Sequence, residues 1–260
     1  MPTRRLADLP EEIAAAIAGL ARGPLLASAT GTTTCRIGGA SACYYLKFGP
    51  RDGANPVGDE ADRLHWLGSA GVPAPRPIHY GEQHGTGYLL MTALSGRPAA
   101  EVLADVTNAV TALADALREL HGLSLPCPFP APSDTRLARA ETRLRCGHID
   151  RAAFEAENGG LAPKVLLERL WATRPGVEDA VVVHGDATPD NILTEHGRVT
   201  GFVDVGRLGV SDRHCDLAIM TRSLRNRVSA AAAERFLDSY GREVIDAERL
   251  TWYRLLDEFF

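Results

Sequence analysis

Apolar and polar positions follow different periods in the two parts of this chain. In the first 95 residues the apolar runs are short. CRIGG, ACYYLKF and GYLLMTA read as strands separated by Gly/Thr/Ser-rich turns. Between the second and third lies EADRLHWLGSAG, where Ala61, Leu64 and Leu67 recur at helical spacing before Gly71 and Pro73 stop the helix. An earlier helix is expected over Glu11–Ala21, and LSGRPA reads as a connector.

Beyond the connector the period lengthens. Leu103, Val106, Val110, Leu113, Leu117 and Leu120 follow a three/four rhythm, the mark of an amphipathic helix. Residues 122–135 (GLSLPCPFPAPSDT) are proline-rich and read as loop. LAPKVLLERLWAT is helical, with Pro163 near its first turn and Leu166, Leu167, Leu170 and Trp171 on one face. AVVV, IL and VTGFVD then predict short strands, with the loop HGDATPDN between the first two and a turn at His196-Gly197. Two helices close the chain. One carries Ala233, Phe236, Leu237 and Tyr240, and the other starts at Asp246 as N-cap and runs into LLDEFF. The pattern predicts a strand-containing lobe followed by a helical lobe with an embedded hairpin.

Composition narrows the class. The chain has 260 residues, 45% hydrophobic and 23% charged, which suits one large domain or two packed lobes. A formal charge of −5 argues against a nucleic-acid partner. Five cysteines (Cys35, Cys43, Cys127, Cys146, Cys215) lack CxxC spacing, so neither a disulfide framework nor a zinc site is expected. Pro10, Glu11 and Glu12 break the N-terminal apolar stretch, and no run approaches a membrane span. A reduced cytoplasmic setting is expected.

The chemistry sits in VVVHGDATPDNILTEHGRVTGFVDVGR, with Asp186, then Asn191 five residues on, then Asp204 thirteen further. Phosphoryl transfer passes through a loose transition state, so a protein mainly positions the reactants and neutralises charge. Magnesium needs hard oxygen ligands, which Asn191 and Asp204 offer. Asp186 would orient and deprotonate an attacking hydroxyl. A hairpin between Asn191 and Asp204 brings both ligands to one end. The spacing predicts magnesium-dependent phosphoryl transfer to an alcohol.

Protein kinases use H-R-D-x-x-x-x-N and D-F-G in these roles. Here the strings are HGDATPDN and DVG. With YLK, LLM, GFVDVGRLGVSDRHCDLAI and the terminal YRLLDEFF, the chain resembles the aminoglycoside phosphotransferase family, particularly its 3′-phosphotransferases, over nearly its whole length. The resemblance implies an α+β, protein-kinase-like two-lobed fold. A small β-sheet lobe with one helix (1–94) would bind nucleotide. A larger, mainly helical lobe (95–260) would carry the catalytic hairpin and the drug.

It also implies roles. Asp186 takes the base position, and Asn191 and Asp204 the magnesium positions. Lys47 resembles the lysine that pairs with ATP phosphates, and Glu60 the helix glutamate that holds it. Tyr45 sits where an aromatic stacks on adenine, and Met91, Thr92, Ala93 and Leu94 match the hinge that grips the adenine edge. No kinase glycine loop is present, so Thr30 and Gly31 in ASATGTTTCRI would serve the phosphates. Arg207 and Arg222 match arginines near the substrate.

A polycationic drug calls for carboxylates. Glu155 and Glu157 in FEAENGG and the terminal Asp257, Glu258 and Phe260 are the expected contacts. ATP, magnesium and an aminoglycoside are thus the expected partners, with no membrane and with a monomer or weak homodimer. The rivals are a kinase for another small-molecule alcohol and a catalytically silent nucleotide-binding module.

Overall fold

The structure is a computed structural model, and it describes residues 8–28, 31–39, 43–51, 56–103, 106–124 and 126–260. The chain forms two compact units. One comprises Met1–Gly96 with Thr200–Gly206, the other Arg97–Val199 with Arg207–Phe260.

Among its described residues the first unit holds a five-stranded antiparallel sheet. Its strands are β1 (Arg22–Ala27), β2 (Thr33–Gly38), β3 (Cys43–Pro50), β4 (Pro77–Gln83) and β5 (Thr86–Thr92), in the order β1-β2-β3-β5-β4. Helix α1 (Glu11–Ala16) precedes β1, and α2 (Pro56–Ser69) joins β3 to β4. The two-residue side-chain period divides the sheet into faces. Cys35, Leu46 and Leu90 are successive cross-strand partners, and Phe48 pairs with Tyr88. These residues, with Ile13 of α1 and Ile17 directly after it, make one buried core. Lys47 pairs with Leu89 and Tyr45 with Met91, so this second set points the other way.

β1 and β4 escape the sequence pattern. Both are edge strands containing proline, Pro24 and Pro77, where a missing backbone N–H is most easily tolerated. β1 is almost wholly exposed and so carries no alternation. Helix α1 stops at Ala16, short of the expected Ala21, because Gly19 adopts φ 75° and turns the chain into β1.

The second unit is mainly helical. It contains α3 (Val106–His121), α4 (Ser133–Arg145), α5 (Pro163–Ala172), α6 (His214–Arg227), α7 (Ala230–Tyr240) and α8 (Ala247–Asp257). The short strands β6 (Arg97–Pro98) and β8 (Ile192–Glu195) pair, as do β7 (Ala180–Val183) and β10 (Gly209–Asp212). β9 (Arg198–Phe202) follows the His196-Gly197 turn. Asp246 caps α8 by accepting from the amides of Glu248 and Arg249, and Ser229 caps α7 through Ala232.

α4 and α6 have no apolar stripe to announce them. α4 begins inside the stretch that reads as loop, and it buries Ser133, Leu137 and Ala140 beneath a charged sequence. In α6 every residue from His214 to Thr221 is buried, so inside and outside do not alternate. Three helices follow the hairpin where two were expected. No helix among the described residues is long and apolar enough to cross a membrane.

Candidate active site

In the first unit, Lys47 lies on the β3 face against which α2 packs. Glu60 falls on the inner face of α2 beside Val57, Ala61 and Leu64, which is why a glutamate there is only 1% exposed. Its Oε2 stands 2.6 Å from Lys47 Nζ. Lys47 Nζ also donates to Asp204 Oδ1 at 2.6 Å. Burial disfavours the ammonium, but Glu60 and Asp204 outweigh it and hold the lysine above its ordinary pKa. Asp204 itself is about half exposed, at 51%.

Asp204 has φ 56°, a left-handed conformation that Asp tolerates better than bulkier residues. The strand leading to it is fixed by Gly201. A Cβ there would sit 2.2 Å from the Pro73 carbonyl oxygen, which accepts the Phe202 amide at 3.0 Å. Only glycine permits this approach.

Tyr45 and Met91 share the Lys47 face, Tyr45 half-buried and Met91 buried. After β5 the Thr92 amide donates to Arg76 O at 2.9 Å and the Ala93 amide to Cys43 O at 3.0 Å. Met91–Leu94 thus leaves the sheet already tethered, with Leu94 half-buried. Thr30 lies outside the described residues. Its neighbours Ser28 and Thr32 share a hydroxyl–hydroxyl hydrogen bond of 2.7 Å.

In the second unit, the loop after β7 is held by its backbone. The buried Asp216 carboxylate accepts the His184 amide at 2.7 Å and the Gly185 amide at 2.8 Å. His121 Nε2 lies 3.2 Å from the same carboxylate. Burial alone would raise the Asp216 pKa, but hydrogen bonds from His121 and the loop hold it below the ordinary carboxylate range. Gly185 has φ 76°, and a Cβ on it would meet Arg207 O at 2.4 Å. His184 is fully buried, and its Nδ1 accepts the Asp186 amide at 3.2 Å. Asn191 donates its side-chain NH2 to Asp186 O at 2.9 Å, which commits the nitrogen and leaves the amide oxygen to ligate.

Asp186 lines a cavity of about 370 Å³ together with Thr188, Arg207, Arg222, Arg227, Asp257 and Phe260. Arg207 Nη1 stands 3.7 Å from Asp186 Oδ1. Asp257 is gripped by two guanidinium groups, Arg222 at 2.9 Å and Arg136 at 3.1 Å. Arg136 also donates to Gly185 O at 2.9 Å and lies 4.8 Å above the Phe260 ring. Behind it Cys215 is an inert thiol, pushed up to about 12 by burial.

The expected acidic contacts do not act as one group. Asp257 faces the cavity with Asp186. Glu258 is 3% exposed and accepts from Asn158 Nδ2 at 2.8 Å and the Glu155 amide at 3.2 Å. Burial raises its pKa. Glu157 and Glu258 line a separate cavity of about 410 Å³ with Arg169, Arg225 and Arg254, while Glu155 is half-buried beside it. Tail carboxylates one residue apart point to different places because successive helix positions diverge by about 100°.

Sequence reasoning missed Arg136 and His121, and also Ser223, Asn226 and Arg227 on the cavity face of α6. One signal for Arg136 was available. Arg136 and Arg143 stand seven apart on α4, hence on one face, and both reach the tail; Arg143 donates to Phe259 O at 2.7 Å.

Residues 24–253 match the phosphotransferase enzyme family. The chain belongs to that family. Among its relatives is an aminoglycoside 3′-phosphotransferase of Streptomyces fradiae, 41% identical over 228 residues, covering 83% of this chain and 85% of the relative. A crystal structure of an aminoglycoside-3′-phosphotransferase of type VIII matches with a TM-score of 0.80 at 33% identity, over 96% of this chain and 97% of the other. The aminoglycoside phosphotransferase APH(3″)-Id from Streptomyces rimosus, in complex with ADP and streptomycin, matches with a TM-score of 0.81 at 27% identity, over 99% and 97%. The fold class is α+β of the protein-kinase-like type, as the family resemblance predicts.

Proposed function

We propose that this chain transfers the γ-phosphoryl group of ATP to the 3′-hydroxyl of an aminoglycoside, inactivating the drug. Its likeness to 3′-phosphotransferases along most of both chains supports the substrate class. The observation that carries the site assignment is that Asp186 and Asp257 line one cavity with Arg207 and Arg222.

Residues of the first unit would take the nucleotide. Lys47, neutralised on one side by Glu60, offers the phosphates a fixed ammonium. Tyr45 presents a ring on the same face for the adenine. Met91–Leu94 would supply hinge backbone groups, and Thr30 would serve the phosphates. Asn191 and Asp204 would hold magnesium, and both fit it as hard oxygen donors. Bound there, the ion would neutralise charge on the transferring phosphoryl group.

Residues of the second unit would take the alcohol. Asp186 accepts the proton of the 3′-hydroxyl as that oxygen attacks the γ-phosphorus, whose bond to the bridging oxygen breaks to release ADP. Asp216 and His184 hold the loop's backbone so that the Asp186 carboxylate stays in place. Arg207, 3.7 Å away, keeps the carboxylate oriented. Asp257 would contact drug ammonium groups with Phe260 beside it. Glu155, Glu157 and Glu258 would serve a more distant ring through the second cavity. Dependence on ATP puts the reaction in the cytoplasm.

The test is ATP consumption with kanamycin and with a 3′-deoxy analogue, the product mapped by phosphorus NMR. Turnover with kanamycin alone and phosphate on the 3′-oxygen is expected. Equal turnover of the 3′-deoxy drug, or preference for an alcohol that is not an aminoglycoside, would overturn the assignment.

A further inference from the structure

With Arg227 in place, the lining of the cavity around Asp186 is net positive. Its lining carries three arginines, Arg207, Arg222 and Arg227, against two aspartates, Asp186 and Asp257. Asp257 is held by guanidinium groups that are mostly buried, at 14% and 17% exposure. Those arginines are not easily displaced, because separating a buried pair leaves an uncompensated charge.

Arg227 differs. It ends α6, one turn after Ser223, and its side chain lines the cavity. Its Nη2 stands 2.5 Å from Asp190 Oδ2 and its Nη1 donates to Oδ1 at 3.2 Å, a two-pronged contact. Asp190 lies in the same loop as Asp186, directly before Asn191. Both partners are about half exposed, at 49% and 46%. Exposed pairs of this kind are weak, and separating them leaves neither charge buried.

We propose that Arg227 is a specificity-determining residue, an exchangeable cation that occupies Asp190 until an ammonium group of the substrate replaces it. This rests on the aminoglycoside reading above. When Arg227 swings into solvent the cavity loses a positive charge, and the Asp190 carboxylate, in the loop that also carries Asp186, loses its partner. One cation replaces another and no proton moves. Only a ligand with an ammonium group placed to reach Asp190 while its hydroxyl meets Asp186 gains from the exchange. Neutral or singly charged alcohols leave Arg227 in place as competitor, a form of discrimination by an unfavourable element.

The experiment compares wild type, Arg227→Ala, Asp190→Asn and the double variant by calorimetric titration with kanamycin and by steady-state kinetics with ATP. Arg227→Ala should tighten kanamycin binding and lower its KM by about two- to fivefold, the range for releasing an exposed pair. Asp190→Asn should weaken binding. In the double variant the gain from Arg227→Ala should vanish, since the carboxylate it uncovers is gone. An unchanged or raised kanamycin KM in Arg227→Ala overturns the proposal. So does a gain that persists in the double variant, or an effect on the KM of ATP instead. Wild type that neither binds nor phosphorylates any aminoglycoside would sink the functional reading and this proposal with it. Wild-type turnover with no response to Arg227→Ala would sink this proposal alone.

Discussion

Arg136 donates to Asp257 Oδ1 at 3.1 Å, and the same guanidinium holds the carbonyl of Gly185, the residue before Asp186. One buried side chain therefore positions both the proposed base and the proposed drug contact. Arg136→Lys keeps the charge but loses the planar fork that reaches two acceptors. Its kcat should fall and its drug KM rise together, each by about tenfold. Asp257→Asn should chiefly raise the drug KM. Steady-state kinetics on both variants makes the comparison. If Arg136→Lys merely reproduces Asp257→Asn, the arginine supports the tail and not the loop.

Asp186 carries the chemical step in the proposed mechanism. Asp186→Ala should lower kcat by about 10² or more, as expected for loss of a general base, while a nucleotide titration shows ATP binding nearly unchanged. Asp204→Ala should weaken magnesium-nucleotide binding as well. Near-normal turnover by Asp186→Ala would remove the base.

Lys47 and Glu60 form a buried pair at 2.6 Å, so they should act as a unit. Lys47→Ala should strip positive charge from the phosphates, and Glu60→Gln should do so indirectly by freeing the lysine. The double variant should be no worse than Lys47→Ala alone, measured as kcat/KM for ATP. Additive losses would show that the contact is not what makes Glu60 matter.

The Asp216 carboxylate gives a prediction about acid. Its folded pKa is depressed, because hydrogen bonds from His121 and the loop outweigh burial. As pH falls, the unfolded chain takes up this proton first. The stabilisation is therefore complete above the ordinary aspartate pKa of about 3.9 and is lost as pH drops below it toward the folded value. Asp216→Asn should be less stable at pH 7 and lose less on acidification, with Asp212, also depressed, contributing in both proteins. Thermal melts at pH 7 and at about pH 3, below the unfolded aspartate pKa, measure the two slopes. Parallel slopes would exclude Asp216 as a source of the acid sensitivity.

The amino-acid sequence determined the elements whose period or punctuation is local. Short apolar runs bounded by turn residues predicted β3 and β5, and Tyr45 and Lys47, two apart on β3, share a face. Asn191, Asp204 and Asp186 stand out in the sequence because the proposed phosphoryl transfer would need those side chain types at that spacing. Helix α8 was legible from its cap at Asp246 and the stripe Leu250, Tyr253 and Leu256, all buried.

Tertiary structure decided which charges are free to act. Asp257 and Glu258 are neighbours in sequence, yet one meets Arg136 and Arg222 while the other is buried against Asn158. No local pattern encodes that difference, because it depends on helices contributed from distant parts of the chain. The same holds for α6, whose first two turns are buried on every side so that no amphipathic signal shows, and for Arg136, which reads as one more charge on a polar helix. Periodicity reports which way a side chain points; its partner, and hence its chemistry, is set by what the rest of the chain packs against it.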